Sequence, residues 1–270
     1  MNLDAYLQRI DYYGSRTVNI DTLRAIQRAH LLAIPYENLD IHLGRTLPLD
    51  PDHIYSKIVE QRRGGWCYEM NGILAWALRE LGFEVTMLGS SVGGPAQGMD
   101  GDLDHLILLV QLKQPWLVDA GFGNGLLDPL PLSAGDYQQD FLNFRLEQTD
   151  DKWFFHNHMY GGPGFGFTLI PRTYAGFARR CHELQTLPTS GFVRNTVCHR
   201  YTPHGIVSLR GATLKHYRAD GVVEEEIGSV ARYTQVLQAV FGLEIPEVET
   251  LWPVVWARHL AWKAELEKEE

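Results

Sequence analysis

Apolar residues recur at helical spacing through the first third of the chain, then at alternating spacing. Leu3, Tyr6, Leu7 and Ile10 share one helix face. Leu23, Ile26, Ala29 and Ala33 form a second stripe, with Asp21 placed to cap its start and Pro35 to stop it. Pro35-Tyr36-Glu37-Asn38-Leu39-Asp40 then reads as a turn or loop. Asp50-Pro51 is an N-cap followed by proline at the first helical position, and Ile54, Ile58 and Val59 carry that helix to Gly64-Gly65. Met70, Leu74, Ala77, Leu78 and Leu81 mark the next helix, and Gly82 stands where a C′ glycine ends one. Residues 1–84 are therefore expected to form a small helical bundle.

The period changes at Val85–Met87, and residues 85–199 read as β-rich. A glycine-rich loop is expected over 91–101. His105 then heads a strand whose Leu106, Leu108, Val110 and Leu112 alternate with Ile107 and Leu109, a strand buried on both faces. Pro115–Asp119 is a short strand turning at Gly121-Phe122-Gly123. Residues 144–149 and 152–159 form a hairpin across Asp150-Asp151, and 174–184 reads as a helical excursion. Gly161–Gly166 follows no strand-to-helix unit, so it reads as a turn and not a phosphate loop. From 200 to 270 strands at 206–209, 213–217 and 222–226 precede a helix carrying Val230, Tyr233, Leu237, Val240 and Phe241, and a helical tail after Pro253, charged at its end.

Composition narrows the function. The 270 residues carry a net charge of -9 with no basic tract, which argues against nucleic acid and anionic membranes as main partners. The N-terminus lacks a secretory pattern and no stretch is long enough to span a bilayer, so a cytoplasmic protein is expected. Cys67, Cys181 and Cys198 are an odd set without metal-type spacing, and no metal is expected. His156 and His158 alternate on a strand but have no third ligand nearby, so a solvated strand face is the simpler account.

The candidate chemistry gathers on Cys67. It falls at the first turn of a helix behind two glycines, where unpaired N–H groups and the helix dipole favour a thiolate. A lone cysteine there is more often a packing residue, so a base and an orienting group are required. His105 and Asp119, at the ends of neighbouring strands, supply both types. Acyl transfer and hydrolysis use the same three groups, so the triad alone leaves both open.

Four motifs in order over residues 1 to about 125 decide the resemblance. Arg63-Gly64-Gly65-Trp66-Cys67-Tyr68-Glu69-Met70-Asn71, Pro35-Tyr36-Glu37-Asn38-Leu39, the strand headed by His105, and Val118-Asp119-Ala120-Gly121-Phe122-Gly123 resemble the motifs of the arylamine N-acetyltransferase family, bacterial type. The resemblance implies an α+β fold: a helical bundle (1–84) carrying the nucleophile, a β-barrel (85–199) carrying His and Asp, and an α/β lid (200–270). It implies Cys67 as acetyl acceptor, His105 as base and Asp119 as orienter, a cysteine-protease-like triad. Phe122, Tyr36 and Phe192 would line the acceptor pocket, Tyr36 standing where the family usually has phenylalanine. Arg63 and Glu69 look like partners holding the loop. Asp104 replaces the usual threonine or serine, an added negative charge near the donor's approach. Acetyl-CoA is implied as co-substrate with no permanently bound cofactor, an arylamine, arylhydrazine or N-hydroxyarylamine as acceptor, and xenobiotic metabolism as the setting. A cysteine hydrolase or a biosynthetic amide synthase with the same triad is the alternative.

Overall fold

The computed structural model describes residues 1–98 and 101–266. Met99 and Asp100 of the expected glycine-rich loop, and the last four residues of the expected charged tail, lie outside the described residues.

Helix α1 (Leu3–Arg9) and helix α2 (Ile20–Ala33) open the chain. Asn19, and not Asp21, caps α2: its side chain accepts from the Thr22 N–H, which leaves Asp21 in the first turn. The segment after Pro35 is more ordered than its sequence suggests. Tyr36–Glu37 is a two-residue strand, β1, and Leu39–His42 a single helical turn, α3. Helix α4 (Pro51–Tyr55) is capped by Asp50 as expected, then widens into a π-turn over Ser56–Glu60. Helix α5 (Cys67–Glu80) follows, and Gly82 ends it at φ +93°.

Strands β2 (Glu84–Val92), β3 (His105–Gln111), β4 (Pro115–Val118), β5 (Leu130–Pro131), β6 (Gly135–Gln139), β7 (Leu142–Thr149), β8 (Lys152–His156) and β9 (Phe165–Pro171) form one antiparallel sheet, in the order β5-β4-β3-β2-β9-β8-β7-β6. The sheet is a nearly closed barrel. Its two edges approach through side chains: Tyr137 of β6 donates to Ser133 O just after β5, and Gln139 Oε1 accepts from Leu127 N and Asp128 N. Helix α5 packs on β2 and β3, and a single apolar core runs from Tyr6 and Leu23 through Leu74 and Leu108 to Phe155.

A 3-10 turn (Tyr174–Phe177) leads into α6 (Ala178–Thr186) and α7 (Gly191–Arg194), the expected helical excursion. Strands β10 (Val197–Thr202), β11 (Gly205–Arg210), β12 (Thr213–Arg218) and β13 (Gly221–Glu226) make a second sheet, which β1 joins beside β10. The boundary expected after residue 199 thus falls inside a strand, and the lid sheet takes one strand from the N-terminal segment. Helices α8 (Val230–Ala239) and α9 (Val248–Leu266) cover this sheet over a core of Leu209, Leu214, Tyr233, Phe241 and Leu251. Helix α9 begins before Pro253, which lies inside it. Among the described residues no helix is long and apolar enough to cross a membrane.

Candidate active site

Cys67 is the first residue of α5 and only 2% exposed. Tryptophan at the N-cap has no acceptor to offer, so Glu69 performs that half of the cap alone, accepting from the Trp66 N–H at 3.2 Å. Asn71, one turn beyond Cys67, donates to Asp119 Oδ1 at 2.8 Å and to Leu106 O at 2.6 Å, and accepts from the Ala120 N–H at 2.8 Å. The nucleophile helix is thereby fixed to both strands that carry the other candidates. Gly121 makes this approach possible: a Cβ there would meet Asn71 Nδ2 at 2.6 Å and Cys67 O at 2.7 Å.

His105 and Asp119 meet across the ends of β3 and β4. A carboxylate only accepts, so His105 Nε2–H donates to Asp119 Oδ2, at 2.9 Å. The Gly121 N–H donates to Asp119 Oδ1 at 2.7 Å, so both carboxylate oxygens are held. Nδ1 is then the ring nitrogen left for a reacting group. The imidazole packs against both Phe122 and Phe165, with ring centroids at 5.3 and 5.2 Å, and those two rings also touch each other at 5.4 Å.

A cavity of about 270 Å³ opens over Cys67. Tyr36, His105, Phe122 and Phe192 line it, so every expected site residue is brought together here except Asp119, which lies behind the imidazole. Phe192 on α7 packs edge-on against Trp66 at 5.2 Å, and the Tyr36 ring tilts against His199 at 5.7 Å. The cavity shares Tyr36, Val92, Phe122, Leu184 and Phe192 with an outer groove of about 730 Å³. Arg194, Arg210, Lys215 and Arg258 line that groove, and among the described residues no carboxylate does.

Three expectations are corrected. Burial pushes the Cys67 thiol well up, with Cys181 adding to the effect, against the lowering expected from the helix end alone. Arg63 and Glu69 are not each other's partners: Arg63 pairs with Glu37 at 2.7 Å and Asp40 at 3.1 Å, while Glu69 pairs with Lys57 at 2.9 Å. Asp104 is no free negative charge, because Arg180 Nε donates to its Oδ1 at 2.6 Å. His156 pairs with Glu147, whereas His158 is buried, with Nε2 on Asn124 O and Nδ1 accepting from Tyr160 N. The sequence reading missed Lys57, which also reaches Asp40 at 2.9 Å, and Arg180, which lines the cavity.

Comparison with known proteins adds the decisive observation. A family model described as N-acetyltransferase matches residues 19–250. The chain belongs to the arylamine N-acetyltransferase family. Arylamine N-acetyltransferase 2 of Mesocricetus auratus and arylamine N-acetyltransferase 1 of Homo sapiens are each 34% identical over 91% of this chain and 95% of their own. The arylamine N-acetyltransferase of Mycobacterium marinum superposes with a TM-score of 0.86 at 29% identity, covering 94% of this chain and 98% of its own. The same Mycobacterium marinum enzyme has a structure in complex with CoA, which superposes with a TM-score of 0.85. As a member of this family the protein is an acyltransferase. The α+β architecture with its nearly closed barrel is that of the solved family structures.

Proposed function

We propose that the protein moves acetyl from acetyl-CoA to an arylamine, arylhydrazine or N-hydroxyarylamine through an acetyl-cysteine on Cys67. The observation that carries this reading is the order thiol cavity, imidazole, carboxylate: Cys67 and His105 line one cavity, and Asp119 holds His105 Nε2 from behind at 2.9 Å. His105 Nδ1 takes the thiol proton, and the sulfur attacks the thioester carbonyl. Coenzyme A leaves as the thiol with the proton from His105. The amine then attacks the acetyl-cysteine, His105 removes its proton, and the cysteine sulfur leaves and is reprotonated. Asp119 keeps the tautomer and steadies the imidazolium.

Phe122, Tyr36 and Phe192 receive the aromatic acceptor. Phosphates of the donor lie in the outer groove, whose charged side chains are cationic in a chain of net charge -9. The division into a nucleophile-bearing bundle, a barrel carrying His and Asp, and a lid belongs to the same reading, as do a cytoplasmic location and a part in xenobiotic metabolism.

Mass spectrometry of the intact protein mixed with acetyl-CoA tests it. One acetyl group should appear on Cys67 and be discharged by an arylamine, with parallel double-reciprocal lines when both substrates are varied. Intersecting lines without an acetyl-enzyme would remove Cys67 from its role. Rapid acetyl-CoA hydrolysis without amine would put the cysteine hydrolase first.

A further inference from the structure

Among the described residues, Asp104 and Arg180 are the acidic and basic side chains that line the inner cavity beside Cys67 and His105. They come from distant parts of the chain: Asp104 directly precedes His105 at the barrel rim, and Arg180 sits on α6, which lies across the cavity. Arg180 Nε donates to Asp104 Oδ1 at 2.6 Å, and its Nη1 donates to Glu183 Oε2 at 3.1 Å. Glu183 is also within 3.8 Å of Arg179. The guanidinium therefore faces the cavity already engaged by two carboxylates. The remainder of the lining is apolar or aromatic, with Val92, Phe122, Leu184 and Phe192.

The geometry points to the Asp104–Arg180 pair as the element that sets charge selectivity among acceptors, favouring uncharged arylamines and arylhydrazines over ring-carboxylated ones. This rests on the proposed acetyl transfer through Cys67. An uncharged acceptor meets a satisfied ion pair and apolar walls. A carboxylated acceptor must share Arg180 with Asp104 and bear that like charge within a cavity of about 270 Å³. Removing the Asp104 charge frees Nε of Arg180 to receive the acceptor's carboxylate, while Glu183 stays on Nη1. Removing the Arg180 charge leaves Asp104 to repel it. The two substitutions act in opposite directions, which separates selectivity from simple damage.

The test compares 4-aminobenzoate with its methyl ester, which share a ring and differ in charge. Both attack the same acetyl-enzyme, so any effect on the donor drops out of their ratio of kcat/KM. Asp104→Asn should shift that ratio toward the acid by roughly tenfold, and Arg180→Gln should shift it toward the ester by a similar factor. Asp104→Ser makes the same charge change in a smaller side chain, and should move the ratio as Asp104→Asn does. A ratio within twofold of the wild type in the Asp104 variants, or movement in the same direction in the Asp104 and Arg180 variants, overturns the assignment. A wild-type protein that acetylates neither compound and forms no acetyl-Cys67 overturns instead the acetyl transfer on which it rests.

Discussion

Cys67 stands between opposing influences. The first turn of α5 favours an anion there, yet burial raises the thiol well above its ordinary value. In the proposed mechanism reactivity then depends on a base that takes the proton at the moment of attack, and His105 lines the same cavity. Cys181 and Cys198 are buried as well, and burial raises Cys181 to about 12, but neither lines that cavity. Iodoacetamide should modify Cys67 well before the other two. Asp119→Asn, which presents the wrong partner to His105 Nε2, should slow both this alkylation and acetyl transfer by about 10³–10⁴. Equal labelling of the three cysteines, or a fully active Asp119→Asn variant, would sink the assignment. The meeting of Cys67, His105 and Asp119 is legible in the sequence because each stands at the end of an element within a motif that resembles the family's. Asn71 lies in the same motif, but its partners at Leu106, Asp119 and Ala120 come only from packing. Nothing local marks Arg180, whose partner Asp104 is 76 positions away.

At the scale of elements, the turn before Cys67 is held by buried charges that the apolar pattern does not reveal. Lys57, in the π-turn, joins Glu69 of α5 to Asp40 of α3, and Arg63 joins Asp40 to Glu37 of β1. Burial pulls Lys57 down, but Glu69, Glu37 and Asp40 outweigh it and hold the ammonium above its usual range. Burial likewise pushes Asp40 up, and Lys57 and Arg63 outweigh it, holding the carboxyl near about 2. Lys57→Met leaves the buried Glu69 without its cation, while Asp40 keeps Arg63 and Arg45, and should lower stability by about 3–5 kcal/mol in urea unfolding. A loss under about 1 kcal/mol would show that the network contributes little. The signs with pH follow. The part contributed by Lys57 is full below 10.5 and lost as pH rises further; that of Asp40 is full above 3.8 and lost as pH falls toward 2. Glu69, which burial raises, opposes Asp40 on the acid side. Tyr36–Glu37 reads as a loop because two residues carry no alternation, and β10 is hidden by its polar residues His199, Arg200 and Thr202. Longer runs, such as α5, β3 and the β7–β8 hairpin, are legible because their periods persist.

Across the whole molecule, the site is a junction of parts far apart in sequence. The first core joins the helices to the barrel, and β1 ties the lid sheet to the segment carrying Tyr36. The inner cavity and the outer groove share five side chains, an arrangement that fits the proposed order of a donor lying in the groove with its thioester at Cys67 and withdrawing before the acceptor enters. The charge of the chain as a whole opposes an anionic donor, and screening confines that repulsion to about 8 Å at physiological salt. Close to the groove the balance reverses, because Arg194, Arg210, Lys215 and Arg258 are near and no carboxylate lines it among the described residues. Lys215 is paired with Glu224 at 2.8 Å and Arg258 donates to His42 Nδ1 at 2.9 Å, which leaves Arg194 on α7 and Arg210 on β11 as the groove cations better placed to meet a phosphate. Arg210→Gln should therefore reduce kcat/KM for acetyl-CoA by about tenfold, the scale of one charge-assisted hydrogen bond. Acetylation of Cys67 by 4-nitrophenyl acetate, which has no phosphate, should be unchanged in the same variant. An equal loss with both donors would mean that Arg210 supports the fold of the site and does not hold the donor's phosphates.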